Sequence, residues 1–344
     1  MKKICICGGG ALGHVIGGWL SARNHAIVNV LTGHPEKWQH EIIVDTPEDL
    51  ILKGNIAKIS NQPEEIIPES DVVLLCLPGY MIAKQLEAIK PFLKTSTFVG
   101  SVFSSTGFFF EALKILNENQ PLWGFQRVPF ISRVKEYGKS AHLLGHKNSH
   151  NIAIEHISPN KKVEFAMMMQ EWFERPINIL KNYYEASLTN SNPLLHTSRL
   201  YTMFGSENEN KVFDHMILFY EEWTESAADL YIKMDEEFFQ LLKTLPVSIG
   251  YLPTVLDYYE SHDAKSLATK LSSIQGFKGI TSPMKQVEEG WIPDFKSRYF
   301  TEDFPYGLKY ISQLAHEKGI KCPNIDKVYE WGMNKLKKQK YGIY

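Results

Sequence analysis

The stretch KKICICGGGALGHVIGGWL, residues Lys2–Leu20, decides the fold. The apolar run Ile4–Cys7 predicts a short buried strand, and helix-like sequence begins directly after three consecutive glycines. Gly8, Gly10 and Gly13 follow the spacing G-x-G-x-x-G, which indicates a dinucleotide site when a strand precedes it and a helix follows. The first glycine permits a tight turn, the second lets the backbone approach a pyrophosphate, and the third lets the helix pack closely on the strand.

The predicted helix starts with Ala11 and Leu12. The unpaired N–H groups of a first helical turn, together with the helix dipole, favour a phosphate at this end. We therefore expect the backbone from Gly8 to Gly13 to bind the pyrophosphate of a dinucleotide. A glycine-rich turn without a ligand is the alternative reading of the same pattern.

The end of the second predicted strand, Ala26–Leu31, should select the dinucleotide. NAD-binding folds usually carry an acidic residue there, which bonds the ribose 2′-hydroxyl. This chain has Thr32 at that place, and the missing carboxylate removes the repulsion that a 2′-phosphate would meet. Thr32 and His34 can donate hydrogen bonds and Lys37 adds positive charge, so the sequence favours NADP and leaves NAD open. Exposed loop residues without a ligand would explain His34 and Lys37 nearly as well.

A further segment expected near the cofactor is LCLPGY, Leu75–Tyr80. It ends an apolar strand at the carboxyl edge of the sheet, where the ligands of open α/β folds bind. Leu77 and Pro78 would flank the cofactor at this edge. Ordinary turn residues would produce the same pattern.

Strand-like and helix-like segments alternate over residues 1–180. This alternation predicts an α/β domain of Rossmann type with a mainly parallel sheet covered by helices. Residues 42–59 interrupt it and look like an antiparallel excursion with a turn at Gly54–Asn55.

The pattern of apolar residues changes after about residue 180. Apolar residues now recur at helical spacing, as in Phe213, Ile217, Tyr220 and Trp223. We expect residues 181–344 to form an all-helical domain.

The composition is that of an ordinary globular protein, with 44% apolar residues, 22% charged residues and a formal net charge of −2. This charge provides no electrostatic basis for binding nucleic acid or an anionic membrane. The chain has no apolar run of about 20 residues, and the run after Met1 is cut by glycines too early for a secretory signal. We expect a soluble, unexported, cytoplasmic protein.

The four cysteines, Cys5, Cys7, Cys76 and Cys322, show neither a paired disulfide framework nor the spacing of a zinc site. Cys5 and Cys7 share one face of the first predicted strand. Small core residues in a reducing compartment explain all four, and no metal is expected.

A hydride-transfer enzyme needs a group that polarises and protonates the atom beside the hydride acceptor, and histidine is the usual choice. His196 follows Asn192 by four residues near the start of a predicted helix, so both can contact one substrate. Further along the chain, Asp303 could bond the far nitrogen of His196, and Arg298 could hold a carboxylate in a bidentate fork. A structural histidine and an ordinary charged loop are the alternatives.

Four segments together resemble the octopine/nopaline dehydrogenase family, the opine dehydrogenases. They are the glycine-rich start, GFQRVPFISR (124–133), NPLLH (192–196) and RYFTEDFPYGL (298–308), in the order found in that family. The resemblance implies a Rossmann domain followed by a helical domain. It also implies NAD(P)H-dependent reductive joining of an amino acid to a 2-oxo acid such as pyruvate, and the reverse reaction.

The resemblance also assigns roles to individual residues. It implies that His196 and Asp303 are the catalytic pair, that Asn192 assists at the substrate, and that Arg298 and Gln126 contact substrate carboxylates or polar groups. One departure concerns the cofactor, because this chain has TGHPEKW after its second strand where relatives often carry arginines.

Two other functions stay open at the level of sequence. One is NADPH-dependent reduction of a simple 2-oxo acid or related carbonyl without an amine, and the other is NADP(H) sensing without turnover. We expect small-molecule substrates, and the sequence leaves open which amino acid is used and whether the chain forms a homodimer.

Overall fold

The computed structural model describes residues 1–205, 208 and 210–340. The contacts divide the chain into two compact units, Met1–Thr189 and Asn190–Tyr344. The domain boundary expected near residue 180 falls shortly before this division.

The first unit is built from twelve described strands. They are β1 (Lys3–Cys7), β2 (Ile27–Leu31), β3 (Glu41–Asp45), β4 (Ile51–Asn55), β5 (Lys58–Ser60), β6 (Val72–Leu75), β7 (Phe98–Ser101), β8 (Leu122–Phe125), β9 (Phe130–Glu136), β10 (Ser140–His146), β11 (His150–Glu155) and β12 (Ile177–Ile179). Eight of them form one sheet in the order β12-β11-β8-β7-β6-β1-β2-β5. Every neighbouring pair in it is parallel except β8 and β11, so the predicted α/β fold with a mainly parallel sheet is confirmed.

Helices cover both faces of this sheet. They are α1 (Ala11–Ala22), α2 (Pro63–Ile66), α3 (Gly79–Ile89), α4 (Phe108–Ile115), α5 (Pro159–Phe173) and α6 (Tyr183–Ser187). Ile4 and Ile6 of β1 lie in the apolar cluster on one face, and Cys5 and Cys7 lie in the cluster on the other. The strand is therefore buried on both sides, which is the usual state of a central parallel strand.

A second sheet in this unit has the order β4-β3-β10-β9. Its strands β3 and β4 are antiparallel, but the turn expected at Gly54–Asn55 is wrong, because Gly54 lies within β4 opposite Ile42. A side chain at Gly54 would come within 2.6 Å of the Gly18 carbonyl oxygen on α1. Gly54 is needed for close packing of strand on helix, and the chain reverses instead between Asp45 and Ile51.

The second unit is predominantly helical, as predicted. Its helices are α7 (Asn192–Phe204), α8 (Glu225–Leu242), α9 (Val255–Tyr258), α10 (Ala264–Ser273), α11 (Arg298–Thr301), α12 (Lys309–Glu317) and α13 (Pro323–Lys340), with a π-helical turn at Phe304–Leu308. A two-stranded hairpin, β13 (Met284–Val287) and β14 (Gly290–Pro293), adds to the helices that the sequence led us to expect. None of the helices among the described residues is long and apolar enough to cross a membrane.

The helical spacing of Phe213, Ile217, Tyr220 and Trp223 proves misleading. The segment that carries these residues is extended or turned in the described chain. Phe213 pairs with Trp291 in an antiparallel bridge, and the Phe219 N–H donates to the carbonyl of Ile280. These residues are buried as expected, but their backbone groups bond neighbouring segments or, between Trp223 and Tyr220, close a short turn, and they form no helix.

Candidate active site

The glycine turn of the first unit joins β1 to α1 and has the geometry of a dinucleotide cradle. Gly8 has φ +123°, and a side chain there would lie 2.6 Å from the Cys76 carbonyl oxygen. A side chain at Gly13 would overlap the carbonyl oxygen of Gly8. Gly10, in contrast, has nothing within 4 Å of where its Cβ would lie. The backbone of the turn is therefore open at Gly10, which fits the close approach of a pyrophosphate.

The start of α1 is also open to an anion. Gly10 is the residue before the helix and has no side chain to cap the first N–H groups, and Ala11 and Leu12 begin the first turn. Leu77 lies beside this turn, because its Cδ2 atom is 2.9 Å from the position of a Cβ at Gly8. Pro78 precedes α3 directly. The structure thus brings Leu77 to the glycine turn, as expected for a residue flanking the cofactor.

The end of β2 presents a mixed set of groups. Thr32 is buried, and its Oγ1 is 3.4 Å from the hydroxyl of Tyr137. His34 and Lys37 are exposed in the short turn that follows. The Nδ1 of His34 lies 3.4 Å from the Glu36 carboxylate. A carboxylate is therefore present next to this edge, although it does not occupy the place of Thr32.

Sequence reasoning missed His14 and Tyr137, both of which contact the glycine turn. The buried His14 donates from Nδ1 to the Gly10 carbonyl at 2.9 Å, and its Nε2 accepts the Gly138 N–H at 2.7 Å. Burial lowers the pKa of His14, so the ring stays neutral and ties the turn to the loop between β9 and β10. A histidine four residues after the second glycine was the available signal, since that spacing lets the ring reach back to its carbonyl.

Gln126 lies in the first unit at the end of β8 and is held at both ends of its amide. Its Nε2 donates to the Glu185 carbonyl and to the Thr189 hydroxyl, each at 3.0 Å. Its Oε1 accepts from Asn151 at 2.9 Å. The amide orientation is therefore fixed by the protein, and a substrate would have only the remaining lone pair of Oε1.

In the second unit the structure brings His196 and Asp303 together. The His196 Nδ1 is 2.8 Å from the Asp303 Oδ2, and the two side chains are 12% and 15% exposed. An ionised carboxylate can only accept, so Nδ1 carries the hydrogen and Nε2 is left to exchange protons.

The motifs NPLLH and EDFPYGL form the packing contact that sets the distance between His196 and Asp303. His196 lies in the first turns of α7, and Asp303 directly precedes the π-helical turn Phe304–Leu308. A side chain at Gly307 would lie 2.6 Å from the ring of Pro193, so the absence of a side chain at Gly307 lets the two segments pack directly. NPLLH and EDFPYGL are therefore complementary parts of one contact.

Asn192 and Arg298 occupy different settings in this unit. Asn192 is the first residue of α7, half-buried and one turn before His196. Arg298 begins α11 and is exposed, with no side-chain hydrogen bond or ion pair among the described residues. The Arg298 guanidinium therefore keeps its five donors for an external carboxylate.

Tyr220 is the most significant residue of this unit that sequence reasoning missed. Its hydroxyl lies 3.1 Å from the Nε2 of His196, the nitrogen that Asp303 leaves open. Tyr299 also contacts the imidazole, with 4.7 Å between the ring centres. The sequence offered only an aromatic residue in an apolar repeat, which is more often a sign of core packing.

One cluster of metal-ligating residue types occurs among the described residues. His316, Cys322 and Asp326 have ligand atoms within 4.8 Å of one another. Asp326 accepts hydrogen bonds from Ser312 at 2.8 Å and from His316 at 2.9 Å, and the Cys322 thiol donates to it at 3.4 Å. Burial raises the pKa of Cys322 to about 12, so its thiol is neutral, and the Asp326 carboxylate of α13 explains the cluster by bonding Ser312 and His316 of α12.

Comparisons with known proteins agree with this arrangement. Residues 179–336 match the family model described as NAD/NADP octopine/nopaline dehydrogenase, alpha-helical domain, and residues 4–106 match ketopantoate reductase PanE/ApbA. Tauropine dehydrogenase of Arabella iricolor is 28% identical, over 98% of this chain and 92% of its own.

Solved structures show the same similarity over the full length. Octopine dehydrogenase with NADH and L-arginine has a TM-score of 0.84 at 25% identity and covers 98% of this chain and 90% of its own. Yersinopine dehydrogenase bound to NADP⁺ has a TM-score of 0.71 at 12% identity and covers 99% and 93%.

The fold and these similarities define an NAD(P)-dependent oxidoreductase. Residues 179–336 match the helical-domain model of the octopine/nopaline dehydrogenase family, and the resemblance inferred from the sequence is confirmed.

Replacing Gly10 by alanine should weaken dinucleotide binding without damaging the fold. The added methyl group meets no atom within 4 Å, so the thermal midpoint should stay within about 2 °C. The same methyl group lies on the open side of the cradle, so the Kd for NADPH should rise at least about tenfold in a fluorescence titration.

Gly276→Ala is the matched control, because its Cβ position in the second unit is equally open. Unchanged Kd values of Gly10→Ala for both NADPH and NADH would show that the turn does not hold the cofactor.

Proposed function

We propose that this protein is an opine dehydrogenase, which joins the amino group of an amino acid to a 2-oxo acid such as pyruvate with NAD(P)H, and catalyses the reverse reaction. The observation that supports this most is the buried His196–Asp303 pair, at 2.8 Å, in a unit that matches the octopine/nopaline dehydrogenase family model. The relatives named for tauropine and octopine, and the octopine dehydrogenase structures with pyruvate or L-arginine, support the same substrate class.

His196 is the proton-transferring residue in this proposal. An amino acid enters with a charged ammonium group and can attack a carbonyl carbon only after losing one proton. The carbonyl oxygen leaves as water and must gain protons. His196 Nε2 can take the proton from the amine and give it to the departing oxygen, since a histidine pKa near neutrality suits both transfers.

Asp303 orients His196 and stabilises its charged form. Its carboxylate holds the hydrogen on Nδ1, so the lone pair of the neutral ring is always on Nε2. When Nε2 takes a proton, the nearby carboxylate compensates the positive charge. The reduced nicotinamide, when bound, supplies the hydride to the carbon of the C=N bond that forms.

The remaining site residues are proposed to bind the two substrates. Both substrates carry a carboxylate, and the exposed guanidinium of Arg298 is suited to bind one of them in a bidentate fork. Asn192 precedes His196 by one helical turn and can donate a hydrogen bond to a substrate beside the imidazole. Gln126 keeps one lone pair for the second substrate.

The requirement for an amine is the test of this function. NADPH oxidation should stay at background with pyruvate alone and rise when one member of an amino-acid panel is added. The condensed product, identified by mass spectrometry, should have the mass of both substrates minus one oxygen atom, because water leaves and two hydrogens enter. Full activity without any amine would contradict the proposal.

His196→Ala completes this experiment. It should lower kcat by about 10²- to 10⁴-fold with unchanged cofactor affinity, because it removes a general acid–base group and leaves the first unit intact. A protein that senses NADP(H) without turnover would show no amine-dependent reaction, with or without His196.

A second candidate is reduction of a simple 2-oxo acid or related carbonyl. It is favoured by the ketopantoate reductase model, which matches residues 4–106. That match lies within the first unit, whereas His196 and Asp303 lie in the part that matches the octopine/nopaline family. The amine panel separates the two candidates.

For the cofactor we propose NADP, with NAD as the alternative. Thr32 and Lys37 favour a 2′-phosphate, whereas the Glu36 carboxylate beside His34 opposes it. The similar proteins include one solved with NADP⁺ and one solved with NADH, so both dinucleotides occur on this fold.

The KM for NADPH is expected to be lower than the KM for NADH by about tenfold, since a charged contact to a phosphate contributes at this scale. Lys37→Ala should raise the KM for NADPH and leave that for NADH unchanged. A lower KM for NADH in the unmodified protein would refute the assignment.

We place the enzyme in the cytoplasm. All four cysteines are free thiols, and Cys5 and Cys7 lie with their sulfurs 3.8 Å apart without forming a disulfide. Free thiols of this kind are typical of proteins kept in reducing compartments.

A further inference from the structure

We propose that Tyr220 is a positioning residue for His196, whose hydroxyl holds the Nε2 atom in both protonation states of the free enzyme and yields this place to the substrate atom that exchanges the proton. The inference rests on the proposed function of His196 as the proton-transferring group. The distance from the Tyr220 hydroxyl to Nε2 is 3.1 Å, and Asp303 already occupies the opposite nitrogen at 2.8 Å. Both ring nitrogens are therefore bonded, and the ring plane is fixed from two sides.

The position of the Tyr220 ring is determined by stacking. It stacks on two aromatic rings, Phe277 with ring centres 4.1 Å apart and 20° between planes, and Trp223 with ring centres 6.0 Å apart and 14° between planes. Only 5% of Tyr220 is exposed. Phenylalanine would keep these contacts, so a Tyr220→Phe substitution removes the hydroxyl and little else.

The backbone around Tyr220 is fixed by the same helix that carries His196. Arg199, three residues after His196 on α7, donates to the Phe219 carbonyl at 3.2 Å and to the Glu222 carbonyl at 2.7 Å. Arg199 is buried, and burial lowers its pKa to about 10, which still leaves the guanidinium charged at neutral pH. Helix α7 therefore positions both the His196 imidazole, which it carries, and the Tyr220 hydroxyl, whose backbone segment it holds through Arg199.

A hydroxyl is suited to this position because it can reverse its hydrogen bond. Toward the neutral imidazole the Tyr220 O–H donates to Nε2, and toward the charged imidazole its oxygen accepts the Nε2 hydrogen. The second bond is charge-assisted and stronger, so the hydroxyl favours the protonated imidazole. Burial raises the pKa of Tyr220 well above neutrality, and the hydroxyl does not compete as a base.

Other titratable groups lie around His196 and Tyr220 and influence the protonation of these two side chains. Asp303 precedes the π-helical turn and favours the protonated imidazole by its charge. Tyr299, on α11, and Tyr259, after α9, lie close enough to raise the pKa of Tyr220 further, and burial raises the pKa of both. Arg199 directs its donors to backbone carbonyls of the Tyr220 segment. Tyr220 is thus the one among these groups with its hydroxyl bonded to Nε2.

The test is Tyr220→Phe in the full chain. Amine-dependent kcat should fall about tenfold with KM for both substrates within about twofold, because binding groups are untouched and only the proton-transferring ring is affected. The limb of the kcat/KM pH profile that belongs to His196 in the free enzyme should move to lower pH, since the charged ring loses its acceptor. Tyr329→Phe, on half-buried α13 sequence outside the site, is the matched control and should change neither.

A second readout needs no activity. In ¹⁵N-histidine protein without cofactor, the His196 pKa measured by NMR should be lower in Tyr220→Phe than in the unmodified protein, with His196→Ala used to assign the signal. If the unmodified protein has no amine-dependent activity, the proposed function is refuted, whereas the hydrogen bond between Tyr220 and the Nε2 of His196 is still tested by the NMR measurement. An unchanged His196 pKa and pH profile in Tyr220→Phe would overturn the role of Tyr220.

Discussion

The hydrogen bond from the His196 imidazole to the Asp303 carboxylate is the interaction on which the account of this protein depends. It joins two segments 107 residues apart in the chain and occupies Nδ1 of the imidazole, which leaves Nε2 for the proposed proton transfer. The bond requires close approach of α7 and the π-helical turn, and that approach requires a glycine at 307 against the ring of Pro193. A π-helical turn is costly for ordinary structure and frequent at functional sites, which agrees with its place here.

The two units use the same strategy in different chemical settings. In the first, His14 holds the glycine turn through a neutral imidazole, whose pKa is lowered by burial among aromatic rings. In the second, His196 is held by a carboxylate and a hydroxyl, which suit a ring that changes charge. The difference lies in the partners: backbone groups stabilise a fixed neutral tautomer, whereas Asp303 and Tyr220 accommodate both protonation states.

Local patterns predicted the parts of this structure that depend on local physics. Gly8, Gly10 and Gly13 indicated the cradle because each lacks a side chain for a separate steric reason. The sequence spacing could not place Tyr220, because its segment is held by a remote one, through the bond from the Phe219 N–H to the Ile280 carbonyl, and not by a helix. Gly54 was taken for a turn residue for the same reason, since the helix that packs on it is remote in sequence. The pairing of His196 with Asp303 came from the family resemblance and from residue chemistry, not from periodicity.

The coupling between His196 and Asp303 is measured by a double-mutant cycle on kcat/KM with His196→Ala, Asp303→Asn and the combined variant. If Asp303 acts through His196, its substitution should cost little once the imidazole is gone, and the double variant should lie within about threefold of His196→Ala. Losses that multiply, with the double variant slower by the product of both single effects, would contradict the claim that the two residues work as one pair.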